Sequence, residues 1–214
     1  MRRLRVRGGA KPKLRHYRRN RVYLLDPSGT LVSWYDKEEL VPFGEYVPLA
    51  SWLPFVRPII AGEAPIVPGN SGGVLPVGST RAGVLTCYEV LAPRLARQRR
   101  ADGATVLLNL SNEAWFPGTA ATEQLLVQAQ LRAIEQRVAV VRVANEGVSA
   151  VIDVSGQVVW RGGPGMSLSH VATVAWGHER TFYGRTGDLT VWLATAAVAV
   201  AIGDALRRRH PAGG

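Results

Sequence analysis

The 214 residues, 47% of them hydrophobic, suffice for one domain with a sizeable core and are too few for two comfortable ones. A net charge of +10 suggests nucleic acid until it is located: residues 1–21 hold ten Lys and Arg and no acid, and taking those ten from 26 leaves 16 basic against 16 acidic residues, so the charge belongs to an arm and a specific nucleic-acid face is excluded. One cysteine excludes an intrachain disulfide and a cysteine-based zinc site, and the scattered His16, His170, His178 and His210 form no metal constellation.

Residues 1–20 are basic, rich in Arg and Gly and without apolar period, and read as disordered. Such an arm is solvated or touches RNA or anionic lipid heads. It lacks the apolar h-region of a secretory signal. Val22–Leu25, the turn Asp26-Pro27-Ser28-Gly29 and Thr30–Trp34 predict a hairpin. It runs into Asp36–Leu49, where an amine and several carboxylates surround two prolines and a glycine, a composition that predicts a shaped loop. Ser51–Pro68 interleaves Pro54, Pro58, Pro65 and Pro68 with Trp52, Leu53, Phe55, Val56, Ile59 and Ile60. So long an apolar loop reads either as packed surface or as a flap over a pocket.

Arg81–Glu89 sets Cys87 at the end of a short apolar run that predicts a buried strand, followed by a helix-like Val90–Arg99 segment. A thiol at the rim of a sheet is where an α/β protein keeps a nucleophile, although a lone cysteine also serves as a small buried hydrophobe. Ala104–Leu110 predicts a second buried strand. Ala121–Arg137 has helical spacing, with Leu125, Leu126, Ala129 and Ala133 inside and Glu123, Gln128, Arg132 and Glu135 outside. Val138–Val143, Val148–Val154 and Val158–Trp160 predict strands, the first two joined by a turn at Asn145-Glu146-Gly147. Alternating strands and helices followed by strands alone predict an α/β fold with layers of sheet and helix. Leu189–Leu206 is apolar up to Asp204 and meets Arg207-Arg208-Arg209, which predicts either a short membrane span or a core helix.

Lys37 and Glu45, eight residues apart in Asp36-Lys37-Glu38-Glu39-Leu40-Val41-Pro42-Phe43-Gly44-Glu45-Tyr46-Val47-Pro48, together with Cys87-Tyr88-Glu89 and Ser111-Asn112-Glu113-Ala114-Trp115-Phe116, give the chain its resemblance. It resembles the carbon–nitrogen hydrolase (nitrilase) superfamily and, within it, the apolipoprotein N-acyltransferase family, from about Tyr23 onward. The resemblance implies an α-β-β-α sandwich over 22–186, a membrane anchor over 187–214, and the arm at 1–21. It implies Cys87 as nucleophile, Lys37 stabilising thiolate and oxyanion together with a backbone N–H near Tyr88, and Glu45 orienting the lysine. Tyr88, Glu89, Asn112 and Trp115 are implied to shape the pocket. No cofactor and no metal is implied. The partners implied are a phospholipid acyl donor, a lipoprotein acceptor and the inner membrane, with the catalytic domain on the periplasmic side and the C-terminus cytoplasmic.

Three positions depart from the family pattern: Glu113 replaces its usual aspartate, Pro117 enters Phe116-Pro117-Gly118, and Leu125 follows Gln124 where histidine is usual. The family's general-base glutamate lies well before the lysine loop, and only the arginine-rich arm precedes Val22 here. The resemblance therefore implies the C-terminal part of such an enzyme, with the sandwich incomplete at its start and the polytopic membrane domain absent. Two alternatives stand beside it: a small-molecule amidase of the same superfamily, and a catalytically silent membrane-anchored binding protein.

Overall fold

The computed structural model describes residues 17–209, apart from 47, 49–65, 71 and 178. The first sixteen residues of the predicted arm and most of the predicted flap lie outside the described residues. The hairpin forms as β1 (Arg21–Leu25) and β2 (Leu31–Asp36), antiparallel, with Arg21 opposite Asp36. Its turn is closed by Asp26, whose carboxylate accepts from the backbone N–H groups of Ser28 and Thr30, both at 2.9 Å. These bonds hold its carboxyl below the usual carboxylate range, the Ser28 hydroxyl contributing most. The same wording recurs at Asp153-Val154-Ser155-Gly156, where Asp153 accepts from Ser155 and Gln157. Asp and Ser side chains that replace backbone partners make both turns local events.

The main sheet has six strands in the order β3-β4-β5-β6-β7-β8: β3 (Val74–Val77), β4 (Thr80–Thr86), β5 (Val106–Asn112), β6 (Val140–Asn145), β7 (Ser149–Ile152) and β8 (Val158–Gly162). Strands β4, β5 and β6 are parallel and the outer pairings antiparallel. The parallel pairs are joined by helices: α1 (Pro93–Ala101), after a 3₁₀ turn at Cys87–Leu91, and α2 (Ala120–Gln136). Sequence reading did not anticipate β3, whose Pro76 is tolerated because the strand is an edge.

Alternate residues of β4 serve two cores. Leu85 joins Leu95, Leu107, Leu126, Ala129 and Val140 beneath the helices. Val84 joins Tyr35 and Leu75, with Val22 and Leu24 of the hairpin packed against them. A strand buried on both faces reads as a continuous apolar run, as Ala82–Leu85 does.

Two expectations need correction, and a third is narrowed. The basic stretch is structured by its end: Arg18 bridges to Ile66, and Arg19 and Arg21 donate to Asp36, Arg21 at 2.6 and 2.8 Å. An aspartate that has two guanidinium partners gives those arginines a place in the fold. Arg132, expected outside α2, is buried with its guanidinium and paired with Glu135 at 2.8 Å, because a carboxylate one helical turn away supplies the partner that a buried charge needs. The apolar C-terminal segment, expected as a membrane span with a core helix as the alternative, forms α4 (Leu189–Arg209), which is exposed along its length and by length and composition can cross a membrane. A short α3 (Phe182–Thr186) precedes it, capped by the Thr181 hydroxyl, which accepts from Gly184 N at 2.8 Å.

Candidate active site

The parallel strands deliver three chain segments to one sheet edge, the carboxyl end where α/β sheets hold their ligands. Thr86 leads into Cys87 at the end of β4. Asn112 and Glu113 leave β5, and Asn112 lies in register with Asn145 of β6. Cys87 is half-buried and takes a left-handed backbone, φ +52°. That conformation is costly for a residue with a Cβ and persists only where the surroundings impose it. The imposing group is Glu89, whose Oε2 accepts from Thr86 N at 2.6 Å across the turn. The Cys87 thiol points to the Asn112 carbonyl, 3.9 Å away.

Lys37 is buried, and its Nζ donates to Glu45 Oε2 at 2.6 Å. The same oxygen accepts from Val41 N at 2.8 Å, and Asn20 Nδ2 reaches Oε1 at 3.3 Å. Glu45 thus closes its own loop around the amine. A desolvated ammonium needs such a partner, and the pairing explains how a lysine sits in the interior.

Glu89 connects the two halves. Its Oε1 accepts from the Tyr35 hydroxyl at 2.7 Å and from the N–H groups of Glu38 and Glu39 at 2.7 and 3.0 Å. Desolvation pushes this carboxyl up and its donors oppose the shift, while burial and the neighbouring carboxylate push the Tyr35 phenol up, which keeps it a donor. Sequence reading placed Glu89 at the pocket. The side chain is wholly buried and spends its oxygens on the chain, so it shapes the site from behind, by joining the Lys37 segment to the Cys87 turn, and does not line it.

The remaining predicted residues divide. Tyr88 is half-buried beside Cys87. Asn112 is exposed and its Oδ1 accepts from Ala114 N at 3.2 Å, a local use. Trp115 is 83% exposed, and Phe43 and Tyr46 of the lysine loop are exposed too.

Two arginines were missed. Arg142 of β6 is fully buried and forms an ion pair with Glu113. It also donates to Asn109 Oδ1 and, at 3.1 Å, to Val148 O. Burial lowers its pKa, and the carboxylate of Glu113 opposes that shift. Gly147 leaves room for this pair: a Cβ there would lie 2.1 Å from Glu113 Oε2. Arg99 of α1 is likewise buried. A charged residue inside an apolar run, as in Val140–Val143, is the signal that could have flagged Arg142; Arg99, in the arginine-rich Pro93–Ala101, carries no such signal.

Against known proteins, the carbon–nitrogen hydrolase family matches residues 4–173. An apolipoprotein N-acyltransferase of Geobacter metallireducens is 38% identical over 192 residues, which is 89% of this chain and 36% of that protein. One of Bradyrhizobium diazoefficiens is 35% identical, over 90% of this chain and 36% of that protein. The chain thus spans little more than a third of the length of these relatives. Among solved structures, Saccharomyces cerevisiae Nit3, of the nitrilase superfamily, superposes with a TM-score of 0.53 at 20% identity, covering 69% of this chain and 50% of its own. An amidase from Nesterenkonia sp. gives 0.51 at 24% identity, covering 72% and 54%. These two likenesses concern the fold.

Proposed function

Because the chain belongs to the carbon–nitrogen hydrolase family, we propose that Cys87 and Lys37 are nucleophile and cation of an acyl-transfer site, that of an apolipoprotein N-acyltransferase. The observation that carries this reading is the buried Lys37–Glu45 pair in a segment that Glu89 ties to the Cys87 turn. A thiol attacks as thiolate. The Cys87 sulfur adds to the ester carbonyl of a phospholipid, the C–S bond forms, and the ester C–O bond breaks to release a lysophospholipid that takes a proton. The α-amine of a lipoprotein's N-terminal diacylglyceryl-cysteine then attacks the thioester, an amide forms, the amine proton leaves, and the thiolate returns. Lys37, oriented by Glu45, faces the negative charge that develops on sulfur and on the carbonyl oxygen. A backbone N–H near Tyr88 is the second donor to that oxygen. The exposed Phe43, Tyr46 and Trp115 offer apolar surface to an acyl chain.

The test uses the full chain in detergent with phospholipid, read by intact mass. A hydroxylamine-sensitive acyl adduct is expected on the wild type and on no Cys87→Ser protein. An adduct that persists in Cys87→Ser removes the assignment.

The same reading puts α4 in the inner membrane, with Arg207 and Arg208 cytoplasmic and the catalytic domain outside, since basic residues flank spans on the cytoplasmic side. A C-terminal reporter is expected to be active in the cytoplasm. Activity in the periplasm alone reverses the orientation.

A further inference from the structure

We propose that Arg99 is a positioning residue: from α1 it clasps the segment on either side of Lys37 and so sets the lysine amine relative to Cys87. This rests on the reading of Lys37 as the cation of the site. One guanidinium reaches three places. Its Nη2 donates to the Tyr35 hydroxyl at 2.9 Å, two residues before Lys37, and pairs with Glu38 Oε1 at 3.2 Å, one residue after it. Its Nε donates at 3.2 Å to the carbonyl of Val84, in the strand that ends at Cys87. The guanidinium also lies over the Tyr35 ring, 5.0 Å from its centroid.

Access is built into the backbone. A Cβ on Gly73 would lie 1.9 Å from Arg99 Nε, and one on Gly83 would lie 2.7 Å from Arg99 Cβ. The space at Gly73 is filled by the Arg99 guanidinium, and that at Gly83 by the Arg99 stem together with Leu107 and Ala104. A second arginine of α1, Arg94, pairs with Glu39, so the helix grips two successive residues after Lys37. The planar fork of arginine can serve three acceptors in different directions, which an ammonium point charge cannot. Glu89 binds the same residues from the cysteine side, so clasp and joint hold the Lys37 segment from two directions. Sub-ångström placement decides rate at such a site: a shift of about 1 Å in a positioned group costs up to about 10²-fold.

The experiment is alkylation of the single thiol by iodoacetamide in the full chain, followed by intact mass, in the wild type, Lys37→Met, Arg99→Met and the double variant, with thermal melts run in parallel. Arg99→Met is expected to slow alkylation by about tenfold while Lys37 is present, and by less than about twofold in the Lys37→Met background, because a residue that acts through another loses its effect with it. Equal slowing in both backgrounds, or none while Lys37→Met slows alkylation, overturns the inference and leaves the acyl-transfer reading standing. An unchanged rate in Lys37→Met overturns both. Should Arg99→Met melt unlike the wild type, Glu38→Gln decides by the same criterion. That side chain is only partly buried, 16% exposed, and its backbone N–H stays on Glu89.

Discussion

Replacing Glu89 by leucine is expected to lower the thermal midpoint by about 10 °C or more and to abolish acyl-adduct formation at Cys87. Leucine exceeds glutamate by only about one methylene in volume, so the change in packing is the smaller effect. What changes is the fate of four donors: the Tyr35 hydroxyl and the N–H groups of Glu38, Glu39 and Thr86. Each buried donor left without an acceptor costs about 1–3 kcal/mol. Four of them sum to about 4 kcal/mol at the least, a large share of the roughly 5–15 kcal/mol that holds a domain together. At about 2–4 °C per kcal/mol for a domain of this size, the shift follows. Glu89→Gln keeps one carbonyl acceptor and is expected to fall between. Melts followed by tryptophan fluorescence in detergent measure all three proteins. A Glu89→Leu shift below about 3 °C would show that the joint between the Lys37 segment and the Cys87 turn contributes little.

Glu113→Ala is expected to destabilise the fold by about 3–5 kcal/mol, because it leaves the Arg142 guanidinium buried without its carboxylate. Its remaining bonds, to Asn109 Oδ1 and to the Val148 carbonyl, are to neutral groups and do not neutralise it. The companion double variant, Glu113→Leu with Arg142→Met, removes both charges and is expected to recover most of the loss, since a buried pair and an apolar pair of similar volume are close in stability. Urea unfolding of the wild type, Glu113→Leu, Arg142→Met and the double measures the coupling. Additive losses would mean that the two side chains act independently. Glu113 directly follows Asn112, whose carbonyl the Cys87 thiol faces at 3.9 Å, so the single variants are also expected to alter thiol reactivity.

Much of the fold was legible because its causes are local. Asp26-Pro27-Ser28-Gly29 and Asp153-Val154-Ser155-Gly156 close on their own side chains, so the hairpin and the β7–β8 connection are readable from four residues each. The periodic Leu125, Leu126, Ala129 and Ala133 made α2 visible, and the apolar run before Cys87 made β4 visible. The spacing of Lys37, Glu45, Cys87 and Trp115 carried the family, which the match over residues 4–173 then showed.

What only the tertiary structure decided is where charge is buried, and the reason is distance along the chain. Glu89 takes the Glu38 amide across 51 residues, Arg99 reaches Tyr35 across 64, and Arg142 meets Glu113 across 29. Composition and periodicity report a residue's preference for water, and Arg99, Arg132 and Arg142 read as surface by that measure. A buried charge is stable only when a partner arrives with it, and which partner arrives is a property of the packed sheet. The sequence by itself determined where Cys87 stands at a strand end, the lysine loop, most of the strands and the apolar terminal helix. The assembled fold determined that Glu89 is the joint between Lys37 and Cys87, that α1 grips the residues flanking the lysine, and that α4 stands clear of the core.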